Sequence, residues 1–365
     1  MKTAAKETVG GLVAETFEDC LRQVAKYEKT VRKRQDPVSL HQMRVQLRRL
    51  RTAMQVFAPN VQLPQGGSER QVAKVARQLG KLRDLDVIKT TLRDQYAPDL
   101  PDEERLKLEM AVEKLGKRQR KVHKGVKQEL KGDRYRQLKS RLAQWTTTPD
   151  CNATAQLSLE MVLPDLLLPL LSRLWLHPGW LLGTKVTRGA FKPDSQIKAE
   201  AIDATVLEND ETLHSLRKQI KRVRYQLKLV SGYYGDRLTA DLTRFVELQD
   251  ILGALQDGLL IEEFLATNVP NWQTTMPTMK SLLCDRRYRA WQQWQTHQQY
   301  FLNPKNRTSL HETLLYPTGA STPKQSTKTA KANSKSKAST KATSTQRKSR
   351  SAAKSKDAEP PRDRG

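Results

Sequence analysis

The chain has 365 residues, a formal net charge of +26 and an isoelectric point of about 10.0. This length allows one large domain or two. So strong a positive charge favours a polyanionic partner: a nucleic acid, an anionic membrane surface or another phosphate polymer. Three widely spaced cysteines, Cys20, Cys151 and Cys284, exclude a disulfide-rich secreted scaffold and match no metal-site spacing. The N-terminal stretch MKTAAKETVGG lacks the apolar segment of a signal peptide, so we predict a cytoplasmic protein.

Helical periodicity runs through most of the chain and strand signals are scarce, so we predict an all-α fold. Asp36 followed by Pro37 is a good helix start, and Ser68 with Gln71 resembles a capping box. Residues 183–206 are predicted to be irregular. The predicted helices span 8–33, 37–57, 68–94, 102–144 as one long helix or two collinear ones, 161–182, 209–232, 236–266 and 275–302.

The most apolar stretch of the chain is residues 161–182, MVLPDLLLPLLSRLWLHPGWLL. It contains Asp165, Arg173 and His177 together with three prolines. A membrane-spanning helix needs about 20 predominantly apolar residues. Because charges and prolines interrupt this stretch, we predict a buried helix and no membrane partner, with a membrane span as the alternative.

The composition changes sharply from about residue 317, where Ser, Thr, Lys, Ala and Pro dominate and no aliphatic Leu, Ile or Val follows. Residues 321–365 carry nine lysines and four arginines against three acidic residues, which leaves a net charge of +16 for residues 1–320. Such a segment cannot bury enough apolar surface to fold. We predict a disordered basic tail over 317–365, which either holds DNA or RNA non-specifically or only strengthens the positive field.

Two blocks of sequence recur at a constant separation of 173 residues. The block LHQMRVQLRRLR (40–51) matches LHSLRKQIKRVR (213–224), and LGKLRDLDVI (79–88) matches LGALQDGLLI (252–261). No gap is needed between the blocks, so the chain contains an internal duplication. The helix that precedes each block does not align at this offset. We predict two pseudo-symmetric helical bundles in one domain over 1–316, with halves at approximately 1–150 and 155–305.

Basic residues line one strip of the repeated helix in each copy. At about 100° per residue, the strip borders the apolar stripe that faces the core and contains no acidic residue. An ordinary solvated face would oppose the core and mix charges. We predict that the two strips line one channel and grip a phosphate chain, because guanidinium groups bind phosphate in bidentate fashion. The predicted phosphate-binding residues are His41, Arg44, Arg48, Arg51, His214, Arg217, Lys221 and Arg224.

A second set of residues is predicted to support these strips: Arg49, Arg83, Asp84, Arg222 and Asp257. The aspartates either hold basic side chains of the strips in position or form plain structural ion pairs and caps. The strips themselves have an alternative interpretation as surface charges with a helix-end histidine, against which the duplication argues. If the two histidines donate as cations, binding strengthens as the pH falls through about 6.5.

No catalytic motif is visible in the sequence. It has no Walker-type glycine loop, no His-Glu-x-x-His motif and no paired-cysteine site, and its acidic residues form no compact cluster for two metal ions. We therefore predict a non-enzymatic binding protein without metal or cofactor. The alternatives are a general nucleic-acid-binding protein that uses the basic helices and the tail, a phosphohydrolase, and a scaffold that docks an acidic protein.

The repeated blocks resemble the CHAD family, which is named for conserved histidines in an α-helical domain. The resemblance rests on His41-x-x-Arg44-x-x-x-Arg48-Arg49-Leu50-Arg51, on LRDLDVI (82–88), on the matching second block that ends in Arg224-Tyr225, and on LQDILGALQD (248–257). It spans about residues 8–302. Gln256 departs from the family pattern, which has a basic residue beside the aspartate, and the tail is not part of the family domain.

This resemblance implies two pseudo-symmetric four-helix bundles around a basic central channel. It also implies binding of inorganic polyphosphate by the histidine and basic positions of both blocks, and association with polyphosphate granules. Many relatives carry a fused triphosphate-processing domain, but the chain has no Glu-x-Glu-x-Lys motif, so that activity is not expected.

Overall fold

The computed structural model describes residues 8–317, which form an all-α structure with a single two-stranded hairpin in that range. All but the first residue of the predicted tail lies outside the described residues. The first half contains helices α1 (Val9–Lys33), α2 (Pro37–Val56), α3 (Glu69–Thr91), α4 (Asp102–Lys131) and α5 (Asp133–Thr147). The second half contains α6 (Leu159–Trp175), α7 (Ala199–Glu208), α8 (Asp210–Val230), α9 (Thr239–Asn268), the one-turn α10 (Trp272–Thr275), α11 (Pro277–Leu302) and α12 (Pro304–Leu315).

Local capping explains where several helices begin. Asp36 accepts hydrogen bonds from the backbone N–H groups of Val38 (2.7 Å) and Ser39 (2.8 Å), with Pro37 in the first turn of α2. Ser68 and Gln71 form the predicted capping box at the start of α3. These caps fix where the two helices that carry the repeated blocks of the first half begin.

The prediction for 102–144 resolves into two helices, because the chain adopts an extended conformation at Gly132 between α4 and α5. The prediction for 183–206 was wrong in part. Strands β1 (Thr184–Thr187) and β2 (Ala190–Pro193) form an antiparallel hairpin there, and α7 begins at Ala199. The hairpin turns through Arg188 and Gly189, both with positive φ. α12, which begins at Pro304, was not predicted.

Most of the apolar stretch predicted to be a buried helix over 161–182 forms α6, which buries one face in the main core and contains two prolines; α6 ends at Trp175, and a separate 3-10 helix follows at Pro178–Leu181. Its buried residues are Leu159, Leu163, Leu167, Leu171, Leu174 and Trp175. Across residues 8–317, every helix is too short or too polar to cross a lipid bilayer.

The duplication is visible in the order and packing of the helices. Helices α8, α9, α11 and α12 follow α2, α3, α4 and α5 at close to the 173-residue offset. α1 packs on α2 and α5, and α6 packs on the equivalent helices α8 and α12. α6 therefore takes the place of α1 in the second half, and the hairpin with α7 is inserted between α6 and the repeated block. This insertion explains why the preceding helices do not align in sequence.

The two halves are joined by a second hydrophobic core in addition to direct packing of α2 on α8. This core combines α3 and α4 of the first half with α9 and α11 of the second. Glu104, which is buried, accepts hydrogen bonds from the backbone N–H groups of Thr278 (3.0 Å) and Met279 (2.9 Å) at the start of α11. The halves are thus held in a fixed relation, which positions the repeated blocks against each other.

Candidate functional site

A cavity of about 580 Å³ lies between the two halves, and α2 and α3 line it together with α8 and α9. We call it the central cavity. Nine of the thirteen residues that the sequence singled out line it: His41, Arg44, Arg48, Arg83, Asp84, His214, Arg217, Lys221 and Asp257.

One arginine from each copy lies against a glycine of the neighbouring helix. A Cβ atom at Gly80 would approach Arg44 Nη1 to 3.2 Å, and one at Gly253 would approach Arg217 Nη2 to 2.6 Å. Gly80 and Gly253 are themselves equivalent in the duplication. Because glycine has no side chain, the guanidinium group of Arg44 can lie directly against α3, and that of Arg217 can lie directly against α9. Both glycines therefore belong to the architecture of the cavity.

The two equivalent aspartates lie beside these arginines. Asp84 Oδ1 lies 3.6 Å from Arg44 Nη1. Burial raises the pKa of Asp257, while the charges of Arg217 and Lys221 act in the opposite direction. Arg217 also donates a hydrogen bond from Nη1 to Gln256 Oε1 (3.0 Å), at the position where the first copy has Arg83. Asp84 therefore lies within ion-pair distance of the first basic strip, and Asp257 interacts electrostatically with the second, which is compatible with both interpretations from the sequence.

Tyr225 joins the basic strips of the two halves and was not among the predicted site residues. Its hydroxyl accepts a hydrogen bond from Arg48 of the first half. Its ring faces the guanidinium carbons of Arg48 at 4.7 Å and of Arg224 at 4.1 Å. Such cation–π contacts hold cations in place without neutralising them. No signal in the duplication indicates this role, because the equivalent position of the first copy is Thr52.

The positive charges of the cavity act on one another. Burial, together with the charges of Arg217 and Arg48, lowers the pKa of Lys221 to about 8. Partial burial, with Arg83 and Arg44 as the next causes, lowers the pKa of His41 below its ordinary value. Burial also lowers the pKa values of Arg44 and Arg217. A bound anion would relieve this mutual repulsion, which is the electrostatic property expected of a site for polyanions.

Four of the predicted residues do not line the central cavity. Arg51 donates from Nε to Glu69 Oε1 (2.7 Å), and Arg224 donates from Nε to Gln249 Oε1 (3.0 Å). Arg49 forms an ion pair with Asp19 of α1. Arg222 is exposed on α8. The strips therefore contribute their first three residues to the cavity, while their last residues, Arg51 and Arg224, bind side chains of the neighbouring helices α3 and α9.

The cavity also has lining residues that were not predicted from the sequence. Asp250 and Gln249 come from α9, and apolar side chains such as Val45 and Leu260 separate the charges. Helical periodicity could have placed Asp250 here, since it lies two turns before Asp257 on the same side of α9. The apolar residues carry no signal that distinguishes them from core residues.

The remaining histidines do not line this cavity. His123 Nε2 lies 3.1 Å from the carbonyl oxygen of Val31, and His177 Nε2 lies 3.1 Å from Ser215 Oγ. In the part of the chain that the structure describes, no three His, Cys, Asp or Glu side chains are grouped so that they could hold a metal ion.

Comparisons with known proteins point to one family. The chain is similar to a crystal structure of the CHAD domain from the plant Ricinus communis, with a TM-score of 0.51 and 20% sequence identity over 84% of this chain and 91% of that one. It is also similar to PptA from Streptomyces chartreusis, with a TM-score of 0.55 and 14% identity over 80% of this chain and 99% of that one. No curated protein shows significant similarity to the chain.

At these levels of identity, the solved structures establish a shared fold. The sequence itself adds the family, because residues 15–266 match the CHAD domain. This range contains both basic blocks and all the residues that line the central cavity. The chain therefore belongs to the CHAD domain family.

Proposed function

We propose that the protein binds inorganic polyphosphate in the central cavity and does not act on it chemically. The observation that carries this proposal is the pairing of Arg44 with Arg217. These residues come from equivalent positions of the two copies, each lies on a glycine of the next helix, and both line one cavity. The family membership supports the same class of ligand.

A linear phosphate chain fits the arrangement of charges. Five cationic side chains, Arg44, Arg48, Arg83, Arg217 and Lys221, line the cavity with two histidines, against three aspartates. Arg44 and Arg48 are one helical turn apart on α2, and Arg217 and Lys221 repeat this spacing on α8. The spacing is about 6 Å along each helix axis. Two cationic rows on the neighbouring helices α2 and α8 can contact successive phosphates of one chain, and guanidinium groups grip them in bidentate fashion.

A binding role is favoured over hydrolysis by the surroundings of the carboxylates. Asp84 and Asp257 lie beside Arg44 and Arg217, where they stabilise the cations. Phosphoryl transfer by metal ions would need carboxylates grouped around a shared position. We further propose that the protein associates with polyphosphate granules in the cytoplasm, since a non-catalytic polyphosphate site suits attachment to a polymer store.

The proposal is tested by competition. Labelled long-chain polyphosphate is bound to the full chain at about 0.15 M salt, near physiological ionic strength, and is challenged with duplex DNA, single-stranded RNA and ATP. We expect polyphosphate to be displaced only by a large excess of the competitors. The same experiment on a chain that lacks residues 318–365 should retain polyphosphate binding. If nucleic acids compete equally with polyphosphate, the protein is a general polyanion binder and the proposal is wrong.

A further inference from the structure

The outer face of α3 carries a continuous row of positive charge outside the central cavity. Arg70, Lys74, Arg77 and Lys81 are spaced so that they fall on one side of the helix, and all four are exposed. None of them forms an ion pair with any residue between 8 and 317. We call these four residues the α3 track. It extends about 17 Å along the helix at 1.5 Å per residue.

The α3 track leads into the central cavity. The next positions on the same side of α3 are Asp84 and Ile88, and both line the cavity. Lys81 precedes Asp84 by three residues, which is less than one helical turn. A polymer that leaves the cavity on this side therefore meets Lys81 first and then the other three cations in order.

The second copy has a different charge at the equivalent positions. The 173-residue offset matches the α3 track with Thr243, Glu247, Asp250 and Ala254 on α9, which carry two negative charges and no positive one. These four residues are also exposed, so the two faces differ in charge and not in accessibility. Asp250 lies in the wall of the cavity itself. Since Asp84 lies in the wall on the side of the first half, the difference comes from the exposed residues beyond the wall, which attract a polyanion on the first half and repel it on the second.

The surroundings of the α3 track strengthen its positive field. α4 packs beside α3 and carries six exposed cations without an ion pair in the described range: Lys117, Arg118, Arg120, Lys121, Lys124 and Lys127. Lys74 and Gly125 line the same groove between the two helices. The outer face of the first half can therefore attract a polyanion over a wide area.

We propose that a polyphosphate chain longer than the central cavity leaves it over the first half, along the α3 track, and that the protein therefore prefers long chains to short ones. This inference rests on the proposed function of the cavity. The track adds affinity only for polymer that extends beyond the cavity. The two halves are consequently not equivalent in binding, although they share one architecture.

The test compares two ligands and three variants of the full chain. Tripolyphosphate is short enough to be held by the cavity alone, whereas long-chain polyphosphate also reaches the track. The track variant is Lys74→Gln with Arg77→Gln and Lys81→Gln. The matched control, Arg188→Gln with Lys192→Gln and Lys198→Gln, removes the same charge from exposed residues around the hairpin of the second half. The cavity variant is Arg44→Gln with Arg217→Gln.

We expect the track variant to weaken long-chain binding by about tenfold and to leave tripolyphosphate binding unchanged. The slope of log affinity against log salt concentration should fall by about 1 for each phosphate that the track no longer neutralises. The control variant should change the affinity for either ligand by no more than about twofold, since salt screens exposed charges beyond about 8 Å.

The outcomes separate the two proposals. The proposal for the α3 track would be wrong if the track variant lost affinity for both ligands equally. It would also be wrong if the control variant lost as much long-chain binding as the track variant. In both cases the cavity would remain the binding site. Loss of duplex DNA binding without loss of long-chain polyphosphate binding would assign the track to a nucleic acid and would also overturn it. If the cavity variant binds both phosphate ligands as the unaltered chain does, the proposed function itself fails.

Discussion

Arg44 and Arg217 show how the fold keeps cations partly buried in a cavity whose cationic side chains outnumber its carboxylates. Each guanidinium lies over a glycine, next to a carboxylate and close to other cations. Burial and like charges destabilise the protonated forms of such groups. The Nε atom of Arg217 is buried without a hydrogen-bond partner among the described residues. The arginines are therefore held in an arrangement that is less favourable without an anion than with one.

Lys221 allows the effect of a bound anion on the buried cations to be measured through the pH dependence of binding. Its pKa of about 8 in the free protein should rise when a phosphate chain binds, because the anion favours the ammonium form. Affinity should be highest below pH 8 and should fall as the pH rises above it, by up to about tenfold per pH unit for this one group. Titrations at constant ionic strength between about pH 7 and pH 9.5, on either side of that pKa, measure the effect.

The variant Lys221→Arg is the control for this pH dependence, since arginine stays charged throughout that range. It should bind polyphosphate at about pH 7 and should no longer show most of the fall in affinity above about pH 8. If Lys221→Arg keeps the same profile as the unaltered chain, another group is responsible and the assignment to Lys221 is wrong.

At the scale of single elements, the glycines of α3 and α9 are the least expected parts of the site. Glycine within a helix costs about 1 kcal/mol relative to alanine. Gly80 and Gly253 nevertheless stand at equivalent interior positions of two long helices. The close approach of an arginine from the preceding helix accounts for both of them.

Replacement of Gly253 by alanine should separate stability from binding. The added Cβ would lie 2.6 Å from Arg217 Nη2, so the guanidinium must move away from Gln256. We expect Gly253→Ala to leave the melting temperature unchanged or raised and to weaken polyphosphate binding by about tenfold, the value of one charge-assisted hydrogen bond.

Gly80→Ala provides the comparison, because its Cβ would lie 3.2 Å from Arg44 Nη1 and requires a smaller shift. It should weaken binding less than Gly253→Ala does. Melting curves and titrations on both variants check the prediction. A loss of binding that only parallels a loss of stability would show that the glycines serve packing alone.

Elements with a clear periodic or repeated pattern were predicted from the sequence, and elements without such a pattern were missed. Helical periodicity and the repetition of Leu-His and Arg positions were enough for α2, α3, α8 and α9 and for nine of the residues that line the cavity. The hairpin and α7 were missed, because their short segment has no extended periodicity. Tyr225 was missed as a site residue, because its role depends on a contact with Arg48 of the other half, 177 positions away.

At the scale of the whole molecule, the stability of the fold depends on the contacts between the two halves as well as on the packing within each half. Glu104 of α4 accepts two backbone hydrogen bonds at the start of α11, beside the second hydrophobic core. Glu104→Ala would leave two N–H groups at this junction without their acceptors. We expect it to lower the free energy of unfolding by about 1–3 kcal/mol.

Chemical denaturation measures this decrease, and the adjacent, exposed Glu103 supplies the control. Glu103→Ala should change the free energy of unfolding by less than about 0.5 kcal/mol, as is usual for surface substitutions. Equal effects of the two substitutions would contradict a role for Glu104 in joining the halves.

We propose that both copies of the duplication bind one polyphosphate chain in one cavity. A double-mutant cycle tests this proposal directly. The cycle uses Arg44→Gln, Arg217→Gln and the combined variant, with polyphosphate affinity as the readout. We expect each single substitution to weaken binding by about tenfold to a hundredfold, as for a charge-assisted hydrogen bond. The stoichiometry should stay at one polyphosphate chain per protein molecule, whichever of the two arginines is replaced. If either arginine can be replaced without a decrease in affinity, or if the combined variant binds as the unaltered chain does, the two copies do not share one site.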